Sequence, residues 1–203
     1  MRKPRIAIIY GGQSGEHEVS LLSARSVMAA LDRSKYDLLP VKIGKDGRWA
    51  VSGELLPAAE RRALGIGGRR TLAPGAAKGA LSTEDGRPAE TIDLAIPVIH
   101  GTGGEDGCLQ GLLELAGIPY AGSGVLGSAV GMDKIAQKMI FEREGFKVSP
   151  YAHFSAAQWA LDRDGVLARV TRDLPDFPLF IKPANSGSSV GISKAHDHAE
   201  LEA

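Results

Sequence analysis

A single cysteine, Cys108, leaves no partner for an internal disulfide. That usage fits a reducing compartment, and the expected location is cytoplasmic. Charge of one sign is also lacking: Lys+Arg and Asp+Glu both number 24, for a formal net charge of +0. Nucleic-acid binders carry a basic excess, so no nucleic acid is expected as a partner. Long hydrophobic runs are missing as well. Ile6 to Tyr10, behind the basic start Met1-Arg2-Lys3-Pro4-Arg5, is too short for a signal-peptide core and reads as a strand. No other stretch approaches transmembrane length, so no membrane partner is expected. Internal repeats and low-complexity tracts are absent.

What is present is ordinary globular material. Of 203 residues, 43% are hydrophobic and 24% charged, enough for one large domain or two modest ones. Ile6–Tyr10 is continuously apolar and ends in Gly11-Gly12, the pattern of a strand buried on both faces of a parallel sheet. After a polar turn, Val19, Leu22, Val27, Ala30 and Leu31 recur at helical spacing. Tyr36–Ile43 reads as a second strand, Asp46-Gly47 as a hairpin turn, and Arg48–Val51 as the return strand. Between Ser52 and Glu90 the pattern weakens to a surface excursion, with one short helix expected at Leu56–Leu64. Leu94–His100 is again a strand. A helix follows at Cys108–Ala116, closed by Gly117, and then a short strand, Ile118-Pro119-Tyr120. Asp133 is placed to cap a helix over Lys134–Glu144 that Gly145 ends. Strands alternating with helices predict an open, mostly parallel α/β sheet.

A second block begins near residues 125–135. Val148–His153 is expected as a strand, Ala156–Arg169 as a helix, Phe177–Pro183 as a strong strand and Val190–Ser193 as its return. Asp197 is placed to cap a further helix.

Three segments point to chemistry. In Lys182-Pro183-Ala184-Asn185-Ser186-Gly187-Ser188-Ser189-Val190-Gly191-Ile192, a strand delivers a lysine into a loop of small residues. Such residues let backbone N–H groups crowd an anion, and the serines add donors. This is not a Walker loop. Composition leaves two readings equally open, a triphosphate cradle and an unliganded Gly/Ser hairpin. The second segment, Gly11-Gly12-Gln13-Ser14-Gly15-Glu16-His17-Glu18-Val19-Ser20, lies between the first strand and its helix, where ligands of open α/β sheets collect. Its acids suit a substrate ammonium or, alternatively, the positive end of the helix. In the third, His100 ends a strand ahead of Gly101-Thr102-Gly103-Gly104-Glu105-Asp106-Gly107, and it should share an edge with the second. Lys134, a cation at a helix start, conflicts mildly with the helix dipole, which suggests an anion nearby. His196 and His198 form a lone His-x-His without a third ligand close in sequence. Cys108 has no neighbouring histidine to activate it.

These stretches, with Pro119-Tyr120-Ala121-Gly122-Ser123-Gly124 and Met132-Asp133-Lys134, resemble in order the D-alanine–D-alanine ligase family of ATP-grasp enzymes. The resemblance spans nearly the whole chain. It implies a pre-ATP-grasp, substrate-binding α/β domain over 1–130, followed by the first part of an α+β ATP-grasp domain over 131–203. It further implies ATP-dependent joining of two D-alanines through an acyl phosphate for peptidoglycan precursor synthesis, with ATP and Mg²⁺ or Mn²⁺, in a homodimer. Glu16 would accept from the ammonium of the first D-alanine, Val19 would line its pocket, and His100 would lie near the carboxylates or the acyl phosphate. Lys134 and Lys182 would contact ATP phosphates, and Ser186, Gly187, Ser188 and Ser189 would cover them. Ser188 would also join Glu16 in a hydrogen-bond network to a closing loop. The family's metal ligands are expected beyond Ala203, so the activity is expected of the whole ligase, with this chain alone incomplete. The alternatives are a D-alanine–D-lactate ligase, another ATP-grasp carboxylate–amine ligase, and a non-catalytic nucleotide-binding or dimerisation fragment.

Overall fold

The computed structural model describes residues 2–56, 70–71, 79–83, 88–187 and 190–202. The chain divides into two compact units, Met1–Gly131 and Met132–Ala203.

The first unit is organised by β1 (Arg5–Gly11), which carries the continuous apolar run. β2 (Asp37–Ile43) and β7 (Leu94–Pro97) flank β1, both parallel to it. β3 (Trp49–Val51) pairs antiparallel at the edge of β2, as the Asp46-Gly47 turn predicts, giving the strand order β3-β2-β1-β7. Because β1 is central, both its faces are covered. Ala7 and Ile9 join a core with Leu39, Val41, Leu109 and Leu113, on the side of α2 (Cys108–Leu115). Ile6, Ile8 and Tyr10 join another with Ala24 and Met28 of α1 (His17–Ala30). Each buried Ile, Leu, Val or Met side chain contributes roughly 1.5–3 kcal/mol by leaving water.

The apolar stripe expected from sequence meets the core only toward the end of α1, where Val27 and, just past the helix, Leu31 pack against it. His17, Ser20, Ala24 and Met28 are buried, while Val19 and Leu22 are 51% and 61% exposed. The polar pair His17 and Ser20 occupies the first turns because that end of the helix meets strand ends and a glycine loop, where hydrogen bonds are needed.

The region between Ser52 and Glu90 also departs from expectation. β4 (Arg70–Thr71), β5 (Ala80–Thr83) and β6 (Pro88–Thr91) form a three-stranded antiparallel sheet rather than only a surface excursion. Leu81 is fully buried among Leu113, Ala116 and Ile118. The Gly79 N–H donates to the Ala116 carbonyl at 3.0 Å, which ties this sheet to the end of α2. The expected helix at Leu56–Leu64 falls almost wholly outside the described residues. The expected strand at Ile118–Tyr120 is reduced to a single parallel bridge between Ala95 and Tyr120. A helix not anticipated, α3 (Val125–Met132), packs against Gly107, where a Cβ would come within 2.8 Å of the Val125 carbonyl oxygen. Gly127 and Gly131 hide it from sequence, since each glycine costs about 1 kcal/mol of helix propensity.

The second unit opens with α4 (Lys134–Arg143). As expected, Asp133 caps it, its Oδ1 accepting from the N–H groups of Ile135 and Ala136, each at 2.9 Å. The expected strand at Val148–His153 is irregular chain. The expected single helix is two, α5 (Ala156–Leu161) and α6 (Arg163–Asp173). The break is at Asp162, whose non-helical backbone (φ −151°, ψ 75°) lets its carboxylate cap α6 at Gly165 N, 2.9 Å away. β8 (Leu179–Ile181) pairs antiparallel with β9 (Ser193–Ala195), each shorter than or shifted from the expected span. Asp197 then caps α7 (His198–Glu202) through Glu200 N at 3.0 Å.

Candidate functional site

At the carboxyl edge of the first unit's sheet, two loops meet: Gly11–Glu16 between β1 and α1, and His100–Gly107 between β7 and α2. Gly11 and Gly12 have φ of 92° and 96°, open to glycine and rarely to other residues. The helix side chains hold the loop from beneath. Ser20 Oγ accepts from Gly11 N at 2.7 Å and donates to the Val98 carbonyl at 2.5 Å, joining the ends of two strands. His17, buried, places Nδ1 2.6 Å from the Gly12 carbonyl oxygen.

Ser14 joins the loops. Its Oγ donates to the His100 carbonyl at 2.7 Å and accepts from Glu16 N at 3.2 Å. The Glu16 side chain is half-buried and makes no capping bond to α1. Its Oε2 lies 2.6 Å from where a Cβ on Gly101 would stand, so the carboxylate rests directly on the His100 loop. Glu18 behaves differently. It is exposed and pairs with Lys45 at 3.2 Å, and that hydrogen bond holds its carboxyl below the usual range. The structure thus separates two acids that the residue pattern, apart from the family resemblance, left equivalent. Val19 follows on the exposed surface of α1.

His100 is hydrogen-bonded at Nε2 and faces a carboxylate at Nδ1. Nε2 is 2.9 Å from Ser23 Oγ, and Nδ1 is 3.9 Å from Glu105 Oε1. Glu105 Oε2 accepts from Gly101 N at 2.6 Å. Ser14, Ser20, Ser23 and Glu105 were not singled out from sequence. The serines recur every third residue (20, 23) along one side of α1, a signal masked by the apolar pattern around them. Beside these loops, Gly12, Gln13, Trp49, Ile99, Thr102 and Cys108 line a crevice of about 210 Å³. Cys108 is exposed, and its hydrogen bond to Asp106 raises the thiol's pKa, the opposite of activation.

In the second unit, Lys134 and Ser186 come together, with Ala184 beside them. The Lys134 ammonium donates to the Ala184 carbonyl at 3.4 Å and to the Ser186 carbonyl, and its backbone N–H donates to Ala184 O at 3.1 Å. The cation at a helix start is therefore met by the loop's own carbonyls, and it shapes that loop. Lys182 is exposed at the end of β8. Its Nζ and that of Lys194 each lie 5.7 Å from the Phe180 ring centroid. Ser188 and Ser189 lie outside the described residues, so the expected network through Ser188 has no structural account. His196 pairs with Glu200 at 2.9 Å rather than with His198.

Two family models match the chain: the D-ala D-ala ligase N-terminus over residues 5–123, and the D-ala D-ala ligase C-terminus over 140–203. The chain belongs to the D-alanine–D-alanine ligase family. A curated D-alanine–D-alanine ligase from Natranaerobius thermophilus is 46% identical over 99% of this chain and 55% of its own length. Among solved structures, the VanG D-Ala:D-Ser ligase from Enterococcus faecalis aligns with TM-score 0.82 and 32% identity, over 99% of this chain and 58% of its own. The D-alanine–D-alanine ligase from Coxiella burnetii aligns with TM-score 0.77 and 33% identity, over 98% and 58%. The fold expected from the family motifs, α/β with a mostly parallel sheet, is that of these ligases. The chain spans about half the length of the relatives it matches.

Proposed function

We propose that this chain supplies the first-substrate cradle and part of the ATP grip of an ATP-dependent D-alanine–D-alanine ligase in peptidoglycan precursor synthesis. The observation that carries this reading is the Glu16 carboxylate resting on Gly101, beside His100, at the meeting of two glycine loops. A half-buried carboxylate at a strand-end cleft is a selective acceptor for an ammonium, since desolvated charge pairs discriminate sharply. The names of the curated relatives favour D-alanine over D-lactate as the second substrate.

In the reaction, the carboxylate of one D-alanine attacks the γ-phosphorus of ATP, and ADP leaves. The amine of a second D-alanine attacks the resulting acyl phosphate, forming the peptide bond and releasing phosphate. Little covalent work falls to the protein; placement and charge neutralisation dominate. Glu16 orients the first D-alanine by its ammonium, and Val19 limits its side chain. His100 stands beside the carboxylate that becomes the acyl phosphate. Lys182 meets ATP phosphates. Lys134 meets them too or, through its carbonyl bonds, sets the Ala184–Gly187 loop that covers them, along with Ser188 and Ser189.

Among the described residues no group of three His, Cys, Asp or Glu is arranged to hold a metal ion. They therefore do not fit the Mg²⁺ or Mn²⁺ that the family implies, and no step above runs through it. No described helix is long and apolar enough to cross a membrane. A cytoplasmic homodimer is the proposed setting, checked by sedimentation.

The test is phosphate release from ATP by a protein of full family length containing this chain. Release is expected with D-alanine and not with L-alanine. Release with L-alanine, or none with D-alanine, refutes the reading. Glu16→Ala should weaken D-alanine binding by about tenfold or more, the worth of one hydrogen bond to a charged group.

A further inference from the structure

The surroundings of His100 carry an assignment beyond the substrate contacts. Ser23, on the second turn of α1, faces Nε2 at 2.9 Å. Glu105 Oε1 faces Nδ1 at 3.9 Å, and that carboxylate is itself pinned by Gly101 N at 2.6 Å. The His100 carbonyl is engaged by Ser14 Oγ at 2.7 Å.

A neutral imidazole has one N–H and one lone pair, and its neighbours decide which nitrogen carries which. With the proton on Nδ1, the N–H points toward the carboxylate and the Nε2 lone pair accepts the Ser23 hydroxyl. The opposite arrangement sets a lone pair against a carboxylate. We propose that Ser23 is a positioning residue for His100, fixing the ring plane from α1 so that Nδ1 points at the Glu105 carboxylate, which then selects the Nδ1–H tautomer. The consequence for catalysis rests on the reading of His100 as the group beside the reacting carboxylate. The tautomer does not.

Long-range ¹H–¹⁵N correlation spectra of the ¹⁵N-histidine-labelled chain, taken above the ordinary imidazole range, read the tautomer directly. His100→Gln assigns the signal. The wild type should show Nδ1–H. Ser23→Ala should show exchange between tautomers, and Ser23→Thr, which keeps the hydroxyl, should restore the wild-type pattern. In the full-length ligase, Ser23→Ala should lower kcat by about fivefold to tenfold, the size of one lost hydrogen bond, with KM for ATP unchanged. Ser23→Thr should recover most of that loss. An Nε2–H ring in the wild type, which needs no variant to fold, overturns the proposal. So does an unchanged tautomer in Ser23→Ala. If D-alanine drives no phosphate release in the wild type, the functional reading falls while the spectra still decide the role of Ser23.

Discussion

Gly101 has φ +74°, and a Cβ there would stand 2.6 Å from Glu16 Oε2 and 3.4 Å from Ser14 Oγ. Both the backbone conformation and the space exclude a side chain. Gly101→Ala should therefore cost about 1–3 kcal/mol in urea unfolding, the range for a non-glycine residue in strained backbone. It should also push the Glu16 carboxylate from its seat, so D-alanine affinity should fall together with stability. Unchanged affinity in a folded variant would separate Glu16 from the substrate. Asp133 offers a second residue-level test. The Ala136 N–H, with Ile135, Asn185 and Lys134 in support, holds its carboxyl below the usual range against a smaller opposing effect of burial. A depressed folded pKa means the stabilisation is fully present above the unfolded value and is lost as pH falls through the folded one. Asp133→Asn keeps the capping oxygen but does not titrate. The stability advantage of wild type over Asp133→Asn should hold above about pH 5, begin to fall near the ordinary carboxylate pKa of about 4, and vanish only below the lower folded value. Asp133→Ala should lose roughly 1 kcal/mol at neutral pH through the missing cap.

Elements were legible in the sequence where one period or one cap dominated. The continuous Ile6–Tyr10 run gave a strand covered on both faces, Asp46-Gly47 gave the hairpin, and Asp133 gave the start of α4. Elsewhere competing effects hid the element. In α1 the apolar stripe through Val19 and Leu22 faces outward, because the inward positions are filled by His17 and Ser20, which bond the loop and strand ends. The break between α5 and α6 was invisible to helical spacing, since it depends on one carboxylate, Asp162, turning back to cap Gly165. The sheet of β4, β5 and β6 was missed because its strands are short and its burial is tertiary: Leu81 reaches the core through Leu113 and Ile118. Leu81→Ala should accordingly destabilise the first unit by about 2–5 kcal/mol, the range for a buried leucine. A loss under about 0.5 kcal/mol, typical of surface positions, would return the segment to a surface excursion.

At the scale of the molecule, the candidate site was legible as motifs, but its internal wiring was not. Sequence order placed Glu16 and His100 at strand ends of one sheet. It could not show that Ser14 joins their loops, nor that Glu18 turns away to Lys45. The two proposed ligand chemistries divide between the two units, the proposed ammonium acceptor Glu16 in Met1–Gly131 and the proposed phosphate-binding lysines in Met132–Ala203. That division predicts separable binding defects. Lys182 is exposed, with its ammonium over the Phe180 ring, so removing its side chain disturbs little packing. Lys182→Ala should weaken ATP binding by about tenfold or more, the worth of one charge-assisted contact to phosphate. D-alanine binding measured without nucleotide should stay within twofold to threefold of wild type, roughly the scatter of independent sites. Titration calorimetry with each ligand alone distinguishes the outcomes. A variant that loses D-alanine while keeping ATP would show that Lys182 belongs to the substrate cradle, and the assignment of the loop that follows it to the triphosphate would have to be abandoned.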